Sequence, residues 1–189
     1  MVIIDFKDVR INELEIIKSM KKGLVFIYPT DTIYGIGCNA LNSKSVRKIR
    51  DLKERHSSPF SVIAPSIEWI KQNCKMDNCT EKWIKKLPGP YTLILNLNKK
   101  NCIAKEVNPN IESLGVRIPN HPISKLVSMA GIPFVTTSVN KSGGDFMTCL
   151  ENLDNDIKKG IDIIIYEGKK EGTPSKIVDL TRKEKIIDR

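Results

Sequence analysis

The sequence predicts an α/β fold, a twisted mixed sheet with helices around a basic concave groove, and three observations carry that expectation. Short continuous apolar runs, such as residues 24–28 and 60–64, stop at proline, the pattern of buried strands. Between such runs lie segments whose apolar residues recur at helical spacing. The two kinds alternate through most of the chain, as layered α/β domains require. No repeat, low-complexity tract or linker divides the 189 residues, so one domain over 1–189 is expected.

Taken in order, Ile11, Leu14, Ile17 and Met20 space a first helix that Gly23 closes. Residues 24–28 follow as a strand stopped by Pro29. A second helix starts near Ser43, with Val46, Ile49 and Leu52 on its apolar face and Lys48, Arg50 and Lys53 elsewhere. Residues 60–64 form a strand ended by Pro65. Trp69 and Trp83 belong to two short helical segments, with Ser66 and Thr80 as N-caps and both indoles in the core. After the Pro88-Gly89-Pro90 turn, residues 91–97 read as a strand. Further strands are expected at 114–118, 133–137, 162–166 and 176–180, and helices at 122–130 and 149–159. Pro122 suits a first helical position and Gly131 a helix end.

Composition limits the function. Lysine and arginine total 31 against 22 aspartate and glutamate, a net charge of +9 that suits a nucleic acid or a nucleotide. Heavy lysine use on a solvated surface accounts for the same number equally well. Five cysteines without CxxC spacing argue against a disulfide framework or a zinc site, and Cys38 reads as a small buried thiol. No apolar run approaches the roughly 20 residues of a membrane span. The acidic N-terminal residues are unlike an export signal, so a cytoplasmic protein is expected.

Three polar clusters interrupt the apolar pattern at strand ends, where α/β folds place ligands. In the first, residues 29–37, Thr30, Asp31, Thr32 and Tyr34 follow a buried strand, with glycines that permit close backbone approach. The second, Lys53-Glu54-Arg55, sets two cations at a helix end, suited to a triphosphate or merely to the helix dipole. No Walker loop occurs, so a nucleotide site here is not of the P-loop type. The third joins Arg117, an arginine within an apolar strand that needs a carboxylate from the protein or a ligand, to the donor-rich segment 136–144.

Together the blocks at 29–37, Lys53-x-Arg55 with Pro59, 87–95, 115–122, 136–143 and 174–180 resemble the YrdC-like threonylcarbamoyl-adenylate synthases, in their short single-domain form. The six blocks appear in the family's order across nearly the whole chain. The resemblance implies a twisted mixed sheet around a deep basic groove. It implies that L-threonine, bicarbonate and ATP are converted to threonylcarbamoyl-adenylate and pyrophosphate. By that resemblance Thr32, Arg117 and Thr136 contact L-threonine. Lys53, Arg55, Ser58, Ser113, Ser138, Asn140 and Arg189 contact ATP, with Arg189 closing over the nucleotide. No catalytic side chain and no protein-bound metal are assigned. Mg2+ is expected with ATP, held by phosphates and water.

The implied partners are a tRNA-modifying transferase complex, which receives the product, and the tRNA itself. The sequence departs from the family pattern at His56, where proline is usual, and in the Arg55–Pro59 spacing, one residue short. Ile63 stands where many members have histidine, and Ser113 where threonine is common. Two other readings are weighed beside the synthase. One is a module that binds double-stranded RNA or tRNA without catalysis. The other is a carbamoyl-adenylate-forming relative of the hydrogenase-maturation type.

Overall fold

The computed structural model describes residues 1–99, 101–109 and 112–187. Among the described residues ten strands form one mixed sheet. They are β1 (Val2–Asp5), β2 (Phe26–Tyr28), β3 (Gly35–Gly37), β4 (Ser61–Ile63), β5 (Tyr91–Asn96), β6 (Ser113–Arg117), β7 (Phe134–Ser138), β8 (Ile163–Tyr166), β9 (Lys176–Asp179) and β10 (Lys185–Ile187). Their spatial order is β1-β8-β2-β3-β7-β4-β6-β5-β9-β10. Pairs β1–β8, β8–β2, β4–β6 and β5–β9 run parallel, and the others antiparallel. The expected mixed α/β architecture is therefore present.

Among the described residues the α-helices are α1 (Glu13–Lys22), α2 (Ser43–Leu52), α3 (Ile67–Asn73), α4 (Asn78–Ile84), α5 (Ile123–Ala130) and α6 (Asn155–Lys159). Strand β2 shows how the sheet splits the core, because successive side chains point to opposite faces. Phe26 and Tyr28 join α1 and α5 in one apolar cluster, while Val25 and Ile27 join α2 and α6 in the other. Gly23 and Gly131 end α1 and α5 in the left-handed conformation, as their positions suggest.

Three local expectations are corrected. The buried stripe of α1 is Ile16, Ile17 and Met20, with Val9 completing it, whereas Ile11 and Leu14 are 85% and 81% exposed. Ile11 precedes α1 and Leu14 lies in its first turn, so of the expected row only Ile17 and Met20 join the cluster with α5. The N-cap of α4 is Asp77, whose Oδ1 accepts the Thr80 N–H at 2.7 Å, and Thr80 is buried inside the helix. The helix expected over 149–159 is a 3-10 turn at Leu150–Asn152 followed by α6. Asp154 divides them, its Oδ1 accepting the N–H groups of Asp156 and Ile157.

Helices leave the ends of β3, β7, β4, β6 and β5 uncovered on one side of the sheet. The clustered polar residues of the sequence converge there. Among the described residues no helix is long and apolar enough to cross a membrane.

Candidate active site

The Pro29–Tyr34 connection between antiparallel β2 and β3 folds upon its own hydroxyls. Thr30 Oγ1 donates to the Ile33 carbonyl at 2.7 Å and accepts the Thr32 N–H at 3.2 Å. The turn thereby points Asp31 and Thr32 at Arg117, the last residue of β6. Arg117 Nη2 lies 2.6 Å from Asp31 Oδ1, and both guanidinium Nη atoms lie 3.4 Å from Thr32 Oγ1. Asp31 Oδ2 also accepts the Asn120 N–H at 2.9 Å. The pair is buried, with 7% and 10% of the two side chains exposed. The strand arginine therefore has its carboxylate from the protein itself.

Arg117 opens onto a small cavity whose walls include Tyr34, Ser61, Thr92, Thr136 and Ser175. Thr92 and Ser175 hydroxyls lie 2.8 Å apart on its floor. The segment 167–175 runs across the mouth. Tyr34 pins it, donating its hydroxyl to Gly168 O at 2.7 Å and accepting the Glu167 N–H at 3.0 Å, and burial raises that phenol to about 12. Gly172 presses on the Thr32 carbonyl so closely that a Cβ there would sit 1.9 Å from the oxygen. His121 Nδ1 accepts the Ile123 N–H at 3.2 Å, so its Nε2 donates to Glu167 at 3.0 Å, while burial lowers the imidazole pKa.

A second cavity, of about 200 Å3, continues from the first, sharing Ser61 and Thr92. Arg55 and Ser113 line it, as do Phe60 and Asn108. Arg55 Nη2 donates to Pro59 O at 2.9 Å, and its guanidinium lies 5.4 Å from the Phe60 ring centre. The preceding Glu54 adopts φ 51°, a left-handed residue that ends α2 and sends Lys53 and Arg55 in different directions.

Lys53 is 1% exposed and points under the β7 loop. Its Nζ donates to Ser138 O at 2.5 Å, Asn140 O at 2.6 Å and Asn140 Oδ1 at 3.1 Å. Ser138 Oγ donates to the same Oδ1 at 2.5 Å. All three ammonium protons are thus directed at loop oxygens, and Lys53 builds the platform that carries Ser138 and Asn140. Burial first, then the nearby Arg55 charge, draws its pKa down to about 7.

The residues marked in the sequence divide as follows. Thr32, Arg117, Thr136, Ser138, Asn140, Arg55 and Ser113 gather around the two joined cavities, with Lys53 beneath them. Ser58 is exposed, and what it contributes is its carbonyl, which accepts from Arg50 Nη1 at 3.1 Å. Arg189 lies outside the described residues. Sequence reasoning set Asp31 in its first polar cluster without giving it a role, and passed over Ser61, Thr92 and Ser175 as site residues, although Thr92 and Ser175 stand inside recognised blocks. It also passed over Arg50, whose guanidinium donates to the carbonyls of Glu106, Val107, Arg55, His56 and Ser58 and so holds the groove rim.

A broader depression of about 1160 Å3 lies along α2, and several of its charged side chains pair with one another. Lys48 pairs with Asp162, and Lys141 with Glu54 and Asp156. All five cysteines are free thiols, and burial pushes Cys38 well above the usual thiol range. Among the described residues no three His, Cys, Asp or Glu side chains are placed to hold a metal ion.

Comparison with known proteins places this geometry. The Sua5/YciO/YrdC family model, described as telomere recombination, matches residues 18–189. The chain belongs to that family. A putative threonylcarbamoyl-AMP synthase of Methanocaldococcus jannaschii is 37% identical over 173 residues, which cover 90% of this chain and 80% of that protein. The structure of Sua5 from Pyrococcus abyssi complexed with L-threonine superposes with a TM-score of 0.81 at 27% identity. The match covers 95% of this chain and 54% of that one, so this chain spans about half the length of Sua5. Escherichia coli YciO shares the fold with a TM-score of 0.83 at 23% identity, covering 100% of this chain and 93% of that one. Within the Sua5/YciO/YrdC fold, the Arg117 cavity and its neighbour form the candidate active site.

Proposed function

We propose that this chain is an L-threonylcarbamoyladenylate synthase, joining L-threonine, bicarbonate-derived CO2 and ATP. One observation carries the reading. A buried arginine with hydroxyls around it opens directly onto a groove holding a second arginine and the hydroxyl-rich β7 loop. The first compartment suits an amino acid and the second a nucleotide. A relative named as a threonylcarbamoyl-AMP synthase and a neighbour complexed with L-threonine support the same assignment.

In this scheme Arg117 meets the threonine carboxylate, while Thr32 and Thr136 orient the amino acid. The unprotonated amine attacks CO2, giving a carbamate and releasing one proton. A carbamate oxygen then attacks the α-phosphorus of ATP, and the bond from that phosphorus to the α,β-bridging oxygen breaks to release pyrophosphate. Ser138, Asn140 and Arg55 stabilise the phosphates. Such a reaction rests on positioning and charge neutralisation. Mg2+ is proposed to arrive with ATP, held by phosphates and water, because the one carboxylate beside Arg117 is committed to that guanidinium and to Asn120. The product is proposed to pass, in the cytoplasm, to a tRNA-modifying complex.

The test is mass spectrometry of the product from ATP, bicarbonate and isotopically labelled L-threonine, in a reaction free of RNA. Labelled threonylcarbamoyl-adenylate with stoichiometric pyrophosphate is expected. Binding of RNA without pyrophosphate release would instead favour a non-catalytic module. Turnover with carbamoyl phosphate in place of threonine and bicarbonate would favour the hydrogenase-maturation chemistry.

A further inference from the structure

The amino-acid compartment is closed too tightly to fill as it stands. Its cavity holds about 40 Å3, room for roughly three water molecules and less than a branched amino acid occupies. Part of its wall must therefore move to admit a ligand. Ser61, Thr92, Arg117 and Thr136 stand on paired strands of the sheet, and Thr30 closes the Pro29–Tyr34 turn. The segment 167–175, which brings Pro174 and Ser175 to the cavity, is neither helix nor strand. Near its start Gly168 adopts φ 98° with open space where a Cβ would stand, the freedom a hinge needs. A carboxylate holds the segment down. Glu167 Oε2 accepts the His121 Nε2–H at 3.0 Å, and its Oε1 pairs with Lys170 Nζ. The His121 and Glu167 side chains are 10% and 20% exposed, so solvent screens their bond little. His121 is itself fixed from two sides, by the Ile123 N–H at 3.2 Å and by the Phe6 ring with centres 5.1 Å apart. Next to it, the Asn120 N–H holds Asp31. Residues 120–121 thus tie both the segment and the anion facing Arg117 to the start of α5. Neither His121 nor Glu167 lines the cavity, so each acts through what it holds.

We infer that His121 and Glu167 are positioning residues that latch the 167–175 segment over the amino-acid compartment, and that release of this latch admits L-threonine. The inference rests on the proposed synthase activity and adds how its amino acid enters and is retained. A charge-assisted bond that must break on opening keeps the closed form dominant. An amino acid bound beneath the segment favours the same closed form. The adjoining cavity, lined by Arg55 and Ser113, has no residue of 167–175 in its walls, so nucleotide affinity should not follow the latch.

Trypsin reads the segment directly, because Lys169 and Lys170 lie on it and the Lys169 side chain is 63% exposed. Cleavage there requires the segment to lift, so its rate follows the open population. Fragments of the full chain, identified by mass, are compared for wild type, His121→Asn and Glu167→Gln, with cleavage elsewhere in the chain as the internal reference. Asparagine keeps an acceptor for the Ile123 N–H but does not reach Glu167, whereas glutamine keeps an acceptor for His121 without the charge. Cleavage at Lys169 and Lys170 should quicken at least about tenfold in His121→Asn and less in Glu167→Gln, with the reference sites unchanged. The KM for L-threonine should rise by the same order, while kcat and the KM for ATP stay within about twofold of wild type. Cleavage of the segment at the wild-type rate in both variants overturns the inference. So does a parallel rise in the KM for ATP, the mark of general damage to the fold. In the wild type, saturating L-threonine should slow this cleavage, and no slowing overturns the inference even where a variant fails to fold. Calorimetry without L-threonine binding, together with no pyrophosphate from ATP, is a separate result against the synthase, and cleavage of the ligand-free variants then still decides the latch.

Discussion

Replacing Asp31 by asparagine isolates the buried charge on which the amino-acid compartment depends. The substitution keeps the shape of the side chain but removes the anion 2.6 Å from Arg117 Nη2. The remaining side-chain contact of that nitrogen shown here, Thr32 Oγ1 at 3.4 Å, is too long to compensate. Breaking one partner of a buried pair costs about 3–5 kcal/mol, because the other charge stays desolvated. In a chain of this size each kcal/mol moves the melting temperature by about 2–4 °C, so a fall of roughly 6–20 °C is expected. L-threonine should then protect the variant more than the wild type, its carboxylate supplying the missing anion. At a hundredfold excess over Kd, binding alone contributes about 2.7 kcal/mol to either protein, and the surplus in the variant is the diagnostic quantity.

Scanning calorimetry of wild type, Asp31→Asn, Arg117→Met and the double variant measures all these quantities. The double variant should be more stable than the sum of the single losses predicts, with a coupling of about 1–3 kcal/mol. Additive losses, or a melting temperature in Asp31→Asn within a degree of the wild type, would falsify the buried-pair account. Equal protection of both proteins by L-threonine would remove Arg117 from carboxylate binding.

Three further predictions concern the parts that position the site. Lys53→Met removes the donor shared by Ser138 O, Asn140 O and Asn140 Oδ1, so the KM for ATP should rise at least tenfold while that for L-threonine stays near its wild-type value; unchanged ATP kinetics would detach the β7 loop from nucleotide binding. The same lysine carries a pH signature. Its folded pKa of about 7 is depressed from 10.5, so the unfolded chain holds the extra proton between those values. This group's burial penalty is therefore full below pH 7 and is relieved as pH rises through that window. Yet a neutral amine has only two N–H groups for the three oxygens, so wild-type kcat/KM for ATP should decline above about pH 7, a dependence that a flat profile between 6.5 and 8.5 would contradict. Gly172→Ala forces a Cβ to within 1.9 Å of the Thr32 carbonyl and must lift the 167–175 segment, raising the KM for L-threonine with little change for ATP; an unaltered threonine KM would show that this segment does not close the compartment.

How much of this was legible beforehand depends on where each residue's partners lie along the chain. The strands around β2, β4, β5, β6 and β7 were readable because continuous apolar runs mark strands buried on both faces. Strand β3 was not, being Gly35-Ile36-Gly37, a segment whose glycines carry no strand preference and whose form comes from pairing with β2 and β7. Helical spacing set Arg50 and Lys53 off the apolar face of α2, yet both are buried, at 6% and 1% exposure. Spacing describes the faces of one helix, whereas their cover comes from residues 106–107 and 138–140, distant in sequence. Arg117 was the readable signal, since a charge inside an apolar strand demands an anion. That its protein partner is Asp31 could not be read from spacing, as the contact exists only through the turn Thr30 closes.

The buried cations also explain where a net charge of +9 becomes useful. Along the outer α2 flank, lysines face carboxylates and cancel locally, as Lys141 does against Glu54 and Asp156. Arg50 and Lys53 instead spend their donors on main-chain carbonyls and one amide oxygen, which satisfy hydrogen bonds without supplying a negative charge. Arg50 keeps its charge with Glu106 nearby, and Lys53 is about half protonated near pH 7, so the potential they send to the groove is largest below neutral pH. The same two side chains that pin the rim and the β7 loop thus add a pH-dependent positive potential beside Arg55. A polyanion entering the groove meets fixed donors, with no rearrangement of the residues that hold them.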